Sequence, residues 1–348
     1  MSVLVAMSGG VDSSAAAYLC KLRHDVCSGA TMLLYGDGGT NSEDARKVCD
    51  VLGISHEVLD CRALFAEKVI SNFVRVYESG GTPNPCVECN KFLKFGEFMR
   101  HAESLGIEKI ATGHYARIEK TPSGRYYMLR KAKDLARDQS YVLYSLTQSQ
   151  LERTEFPLGG MTKPEVRELA ESLGFVNAKK QDSQDICFVP DGDYGGFIEA
   201  YTGKQYPSGK FVDTSGQELG THKGIIHYTA GQRRGLGVAA KSRLYVSEID
   251  GERNTITLAA EGEDSLYARG VVVRDVNLIA FDVVPENLKA CVKTRYIQHE
   301  IACVVNQSGE NELVIEFDER QRMPARGQAA VIYDGEYVLG GGTISETF

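Results

Sequence analysis

The sequence predicts an α/β protein in which a doubly wound parallel sheet is followed by a small mixed or β central domain and a C-terminal β-barrel. Apolar runs alternate with helical spacing through the first half of the chain, which is the pattern of βαβ units. A glycine turn follows the first apolar run, at the strand end where parallel sheets bind ligands. Beyond residue 200, short Val-, Ile- and Tyr-rich runs replace helical spacing, which favours a small barrel.

The elements follow in a regular order. Strands are predicted over residues 3–7, 28–34, 56–60 and 107–111, and helices from the glycines to residue 22 and over 42–52, 63–77 and 91–105. Residues 125–131 are predicted as an edge strand or hairpin, a helix begins near residue 139, and Lys163-Pro164 opens another, since proline suits a first turn. Later strands are predicted over 244–249, 270–273, 289–292, 313–317 and 329–333.

Length and composition predict a multidomain protein of the cytoplasm. A chain of 348 residues exceeds the usual domain size, and we expect domains at 1–200, 201–267 and 268–348. There is no apolar run of membrane-spanning length and no signal-peptide pattern, so no membrane partner is expected.

Nine scattered cysteines do not form a disulfide framework. Most are predicted to be core residues: Cys20, Cys27, Cys49, Cys61, Cys291 and Cys303.

The charge is acidic overall and basic in places. A net charge of −8 by itself argues against a nucleic-acid partner. Residues 90–137, however, carry eleven Lys or Arg against five Asp or Glu, and residues 205–245 carry six against two. Such segments are compatible with a solvated face or with RNA phosphates.

The stretch Ser8-Gly9-Gly10-Val11-Asp12-Ser13-Ser14 predicts a phosphate site. Glycines let backbone N–H groups point into one hollow, and the start of the following helix adds partial positive charge. Asp12 stands where a carboxylate can cap the helix or hold Mg²⁺. The chain contains no Gly-Lys-Ser/Thr, so the turn is not a Walker loop, and no G-x-G-x-x-G follows a strand, which argues against a nicotinamide dinucleotide.

Three cysteines are candidates for chemistry: Cys86 and Cys89 in a Pro-rich loop, and Cys187 in a later one. Only a thiolate is nucleophilic, and Lys91, Lys94 or a helix N-terminus would lower a thiol pKa. The Cys-x-x-Cys spacing also permits a structural zinc site or a redox pair, although no second Cys-x-x-Cys is present. Three cysteines are also enough to hold an iron–sulfur cluster with one open position.

The glycine turn resembles the PP-loop of ATP pyrophosphatases, and further motifs resemble the tRNA-specific 2-thiouridylase family. The turn has that superfamily's Ser-Gly-Gly-x-Asp-Ser form. The further motifs occur in the family's order and span nearly the whole chain: residues 82–90, 111–117, 133–141, 182–188, 228–236 and 294–296. The resemblance implies an enzyme that replaces O2 of the wobble uridine with sulfur, using ATP and Mg²⁺ and releasing AMP and pyrophosphate. It also implies a persulfide donor, either a cysteine desulfurase or a sulfur-relay protein, and a monomeric enzyme.

The resemblance also assigns residues. Cys187 corresponds to the persulfide-carrying cysteine and Cys89 to its partner nucleophile, so that sulfur transfer would leave a Cys89–Cys187 disulfide. One set of positions matches the family's ATP site, and we call these the ATP-site positions: Ala6, Met7, Ser8, Gly9, Gly10, Val11, Asp12, Ser13, Met32 and Gly113. A second set of positions matches the family's tRNA contacts, and we call these the tRNA-contact positions: Asn84, Pro85, Cys86, His114, Arg137, Asp138, Gln139, Arg295, Tyr296 and Gln328. Many relatives carry Asp in place of Cys86.

Three alternatives remain open at this point. An iron–sulfur-dependent tRNA thiolase would use Cys86, Cys89 and Cys187 as cluster ligands. A PP-loop amide synthetase acting on a small molecule would need neither reactive cysteines nor a basic C-terminal module. An RNA-binding protein could use ATP only to fold or lock.

Overall fold

The computed structural model describes residues 1–36, 39–180, 186–240 and 242–348. Its first half contains a five-stranded parallel sheet with the strand order 55–60, 26–33, 2–6, 109–111 and 154–155. The central strand Ser2–Ala6 is buried because it is apolar on both faces, as expected for a parallel sheet covered by helices. The predicted α/β architecture is therefore confirmed.

Helices cover both faces of this sheet. Three regular helices are Val11–Arg23, Gly39–Leu52 and Lys163–Ser172. A second set contains π-helical turns: Arg62–Phe65, Ala66–Ile70 and Ser71–Glu78 form one run, and Pro85–Glu88, Cys89–Glu97 and Phe98–Ser104 form another. Shorter helices are Ser140–Leu143, Gln148–Glu152 and Tyr194–Thr202. Near residue 139 only a single 3₁₀ turn forms, so the helix predicted there is much shorter than expected.

A four-stranded mixed sheet follows, with the strand order 244–250, 255–260, 209–213 and 218–222. Residues 255–260 and 209–213 pair in parallel, and the other pairs are antiparallel. This sheet shares one hydrophobic cluster with helix Ser71–Glu78 and with Cys89, so it packs against the first half of the chain.

Six antiparallel strands close into the C-terminal barrel because Tyr267–Leu278 pairs with both Glu312–Arg322 and Tyr337–Thr347. The remaining barrel strands are Leu288–Lys293, Ile301–Gly309 and Ala329–Asp334. The hairpin Ala116–Lys120/Tyr127–Lys131 from the first half extends this sheet, with Tyr337 opposite Arg130. The predicted hairpin is thus present, and it joins the barrel to the first half.

Among the described residues, no helix has both the length and the apolar character needed to cross a membrane. All nine cysteines are free thiols, and Cys20, Cys49, Cys61 and Cys303 are buried as predicted.

Candidate active site

The glycine turn, residues 8–10, joins the central strand to helix Val11–Arg23, as predicted. Gly9 has φ +71°, and a Cβ atom there would collide with the Asn41 carbonyl, so both its conformation and its neighbour require glycine. The turn is held from within, because the Ser13 hydroxyl donates to the Gly10 carbonyl at 3.0 Å. The Gly10 N–H makes a long contact of 3.4 Å to Ser8 Oγ. Because this contact is long, the Gly10 N–H is well placed to donate to a bound ligand instead.

Two distant ATP-site positions meet this turn. A Cβ atom on Gly113 would lie 2.8 Å from backbone atoms of Asp12 and Ser13, so Gly113 packs directly on the start of the helix. Met32 lies on the neighbouring strand, two residues beyond Ala30, whose carbonyl accepts from the Met7 N–H at 2.9 Å. The structure therefore brings the ATP-site positions to one edge of the sheet.

Asp12 does not cap the helix with its side chain. Its carboxylate oxygens both lie 2.8 Å from Nζ of Lys163, and one accepts from the Tyr115 hydroxyl at 2.9 Å. Lys163 is only 6% exposed, so this ion pair ties the turn to helix Lys163–Ser172. Carboxylate and hydroxyl oxygens around the turn are ligands that suit Mg²⁺ together with a phosphate chain.

Cys86 and Cys89 lie on a helix, not in the loop that the sequence predicted. Pro85 occupies the first turn, and the Asn84 side chain accepts from the Val87 N–H at 3.4 Å, so the helix begins six residues earlier than residue 91. Cys89 opens a π-helical segment that runs to Glu97. Such segments are frequent at functional sites.

Cys187 lies in a turn next to this helix. Its neighbour Phe188 shares a hydrophobic cluster with Cys89 and Leu93. The motif over 182–188 is described only from residue 186 onward, so positions 182–185 lie outside the described residues. Cys86 and Cys187 are exposed and Cys89 is buried, and we call these three residues the thiol cluster.

The thiols of this cluster affect one another electrostatically. The pKa of Cys89 is raised to about 12, mainly by burial, and the neighbouring thiols Cys187 and Cys86 contribute to the increase. Loss of hydration raises the pKa of Cys187 and of Cys86 as well, while the Lys94 ammonium lowers the pKa of all three thiols. Lys94 thus acts in the expected direction, but burial outweighs it and the pKa of each thiol is raised, so the lowered thiol pKa that the sequence predicted is not found. Lys91 lies over the Phe92 ring, 5.4 Å from its centroid.

Several tRNA-contact positions converge beside the thiol cluster. Tyr296 donates from its hydroxyl to the Asp138 carbonyl at 3.0 Å, and its pKa is raised mainly by burial, with smaller contributions from Asp138 and Cys86. Arg295 donates to the Met323 carbonyl at 2.9 Å. Its guanidinium also faces Gly231 in the basic 228–236 segment.

Gln328, from the barrel, holds the chain that leads into helix Pro85–Glu88, which carries Cys86. Its amide donates to the carbonyls of Thr82 and Pro83 at 3.0 and 2.9 Å.

The segment 137–139 is fixed by contacts within the first half of the chain. Gln139 accepts from the Tyr115 N–H at 2.9 Å, and the Asp138 carboxylate accepts from the Ala132 N–H at 2.9 Å. Arg137 is exposed beside them.

His114 is a buried side chain, unlike most of the tRNA-contact positions. Its Nδ1 lies 2.7 Å from the Thr112 hydroxyl, and its ring packs against Phe95 and Phe156. Burial lowers its pKa well below the usual range, so the imidazole is neutral. An RNA contact at this position stays a prediction.

Three residues at the glycine turn were not singled out as functional in the sequence: Lys163, Asn177 and Lys180. All three contact residues 9–14 from more than 150 positions away, and no local pattern signals such pairings. Within the part of the chain that the structure describes, no group of three or more His, Cys, Asp or Glu residues is placed to hold a metal ion.

Family models match almost the entire chain. Residues 1–191 match the tRNA methyl transferase HUP domain, residues 195–260 the tRNA methyl transferase PRC-barrel domain, and residues 268–344 the aminomethyltransferase beta-barrel domain.

Individual relatives agree with these matches. The tRNA-specific 2-thiouridylase MnmA of Clostridioides difficile is 44% identical, with 99% of this chain and 98% of that protein covered. The protein of the same name from Treponema denticola is 45% identical, with 99% and 98% covered. Among solved structures, a 4-thiouridine synthetase–RNA complex with bound ATP is 19% identical over 54% of this chain and 45% of that chain, with a TM-score of 0.35. Given its identity to full-length relatives, the chain belongs to the tRNA-specific 2-thiouridylase family.

Proposed function

We propose that this protein is an ATP-dependent tRNA-uridine 2-sulfurtransferase that converts the wobble uridine of a tRNA anticodon loop to 2-thiouridine. One observation carries the proposal. Cys89 packs in one hydrophobic cluster with Phe188, the neighbour of Cys187, so the fold brings together two thiols that lie 98 positions apart in sequence. A small-molecule amide synthetase would need no such convergence.

The first step activates the base at the glycine turn. O2 of the uridine attacks the α-phosphate of ATP, and the bond between that phosphate and pyrophosphate breaks. The Gly10 N–H and the start of helix Val11–Arg23 stabilise the departing negative charge. Asp12, with the Ser8 and Ser13 hydroxyls, would hold Mg²⁺, and bound Mg²⁺ would neutralise phosphate charge. The ATP-site positions are proposed as the residues of this step.

The second step transfers sulfur. The terminal sulfur of a persulfide on Cys187 attacks C2 of the uracil, and AMP leaves with the former O2. The Cys89 thiolate then attacks the Cys187 sulfur and breaks its bond to the transferred sulfur, whose electron pair remains with the thiouridine. A Cys89–Cys187 disulfide results, and a thiol reductant reopens it. Alternatively, the Cys89 thiolate attacks the Cys187 sulfur first, which forms the disulfide and releases sulfide, and this sulfide then attacks C2 as AMP leaves.

The tRNA-contact positions are proposed to hold the anticodon loop above the thiol cluster. The wobble base is already unpaired, so swinging it into the site costs little beyond unstacking. Arg137 and Arg295 suit phosphate contacts, and the residues around Asn84 and Cys86 suit contacts to the base itself.

The domain boundaries at 1–200, 201–267 and 268–348 belong to this proposal. The limits of the three family matches support them. We place the enzyme in the cytoplasm as a monomer, with a cysteine desulfurase or a sulfur-relay protein as its persulfide donor.

The test is mass spectrometry of tRNA nucleosides after incubation with ATP, Mg²⁺, cysteine and a cysteine desulfurase. Wild-type protein should form 2-thiouridine, while Cys187→Ser should retain tRNA binding and form none. Cys303→Ser, a change to a buried barrel thiol, is the matched control. Thiolation by the Cys187→Ser variant would contradict the proposal. A brown anaerobic protein whose near-ultraviolet absorbance and activity are both lost in Cys86→Ser would favour the iron–sulfur alternative.

A further inference from the structure

The carbonyl of Gly9 is held by two donors from one short segment. Nδ2 of Asn177 donates to it at 3.0 Å, and Nζ of Lys180 lies 3.4 Å away. Neither residue is among the ATP-site positions. We call this pair of donors the carbonyl clamp.

The carbonyl clamp determines where the next N–H points. In a planar trans peptide, the C=O of Gly9 and the N–H of Gly10 point in opposite directions. Donors that hold the carbonyl on one face of the turn therefore aim the Gly10 N–H at the other face, where Ser8 Oγ makes only the long 3.4 Å contact. A cation and an amide on the carbonyl also polarise the peptide and strengthen that N–H as a donor.

Asn177 is built into the clamp. It is 2% exposed, and its Nδ2 also donates to the Ser14 hydroxyl at 2.9 Å. Because the Gly9 carbonyl only accepts, the amide nitrogen must face it. Within the described residues, the buried Oδ1 of Asn177 has no partner, which is a costly arrangement for an amide. Its two donated hydrogen bonds explain why an amide occupies this position.

Lys180 is anchored from a second element. Its Nζ lies 2.8 Å from the Asp44 carboxylate and 2.9 Å from the Asn41 amide oxygen, both on helix Gly39–Leu52. The ammonium is thus held at the turn before any nucleotide arrives. Lys179, the preceding residue, is exposed and offers a matched control.

We propose that Asn177 and Lys180 are positioning residues for the β- and γ-phosphates of ATP, acting through the Gly9 carbonyl on the Gly10 N–H. The inference rests on the proposed function, which assigns ATP to this turn. It predicts that the clamp matters for ATP, which has these phosphates, and not for AMP, which lacks them.

The experiment measures dissociation constants of ATP and AMP by isothermal titration calorimetry, with melting temperatures, for the full chain. Lys180→Met should weaken ATP binding about fivefold and leave AMP binding within about twofold, while Lys180→Arg should restore most of the ATP affinity. Lys179→Met should match the wild type. Asn177→Ala should show the same selective loss of ATP affinity.

Lys180→Met decides the inference even if Asn177→Ala does not fold, because Lys180 is only partly buried. An equal loss of ATP and AMP affinity, or no loss of either, overturns the inference. Failure of the wild-type protein to bind either nucleotide would instead count against the proposed function.

Discussion

The most informative prediction concerns the order in which the thiol cluster reacts. With a pKa of about 12, the Cys89 thiol is ionised in about one molecule in 10⁴ at pH 8. A free cysteine with a pKa near 8.5 is about one-quarter ionised, so the thiolate populations differ by about 2,000-fold. A more basic thiolate is intrinsically more nucleophilic, by about 40-fold over this pKa difference, which offsets part of the deficit. Cys89 should therefore alkylate about 50-fold more slowly than free cysteine, before any steric effect of burial.

The assay is timed alkylation with iodoacetamide, followed by peptide mass spectrometry for each cysteine. We expect the exposed Cys86 and Cys187 to be modified before the buried Cys89, and Cys89 to react about tenfold faster for each unit of pH between 8 and 11. Lys94→Met should slow alkylation of all three, because the ammonium lowers the pKa of each thiol. Lys91→Met is the control and should change none of these rates.

A Cys89 rate within a few-fold of free cysteine at pH 8, or a rate independent of pH, would refute this reasoning. The expected order matters for the reaction. A thiol that is protonated in almost all molecules does not compete with Cys187 for the incoming sulfur.

Three further predictions concern the glycine turn and its neighbours. Gly113→Ala should raise the KM for ATP by about tenfold, since the added methyl lies 2.8 Å from the Asp12 backbone; Gly160→Ala, with open space around it, should leave KM unchanged. Lys163→Met should lower the free energy of unfolding in urea by about 1–3 kcal/mol, because it removes the ammonium that pairs with the partly buried Asp12 carboxylate. An unchanged unfolding midpoint would contradict this prediction. Gln328→Ala should lower the rate of tRNA thiolation without altering ATP affinity, because its amide holds the backbone that precedes helix Pro85–Glu88. Loss of ATP affinity would show a different role.

Local sequence predicted the parts of the site that local chemistry determines. The strand, the glycine turn and the helix up to Arg23 follow from apolar runs and glycines, and the structure has them in that order. Four of the six cysteines predicted as core residues from their apolar neighbours are buried, whereas Cys27 and Cys291 are only partly buried. These features depend on residues within a few positions of one another.

The features that the sequence did not predict depend on capping or on tertiary contacts. Proline and glycine before Cys86 indicated a loop, yet Asn84 caps a helix there and Pro85 fits its first turn. Lys163 and Lys180 reach the turn only because separate helices pack together, and their immediate neighbours in sequence carry no sign of it.

The hairpin that joins the barrel has a consequence for substrate selection. Backbone pairing of Tyr337 with Arg130, reinforced by the Arg130–Glu336 ion pair, means that the barrel cannot rotate away without breaking a hydrogen-bonded ladder. The distance from the barrel to the thiol cluster is consequently fixed, and under the proposed function so is the span from a phosphate bound by Arg295 to the reacting uracil. An RNA must adapt its own shape to that span, so discrimination among tRNAs would depend on how readily each anticodon arm bends to it.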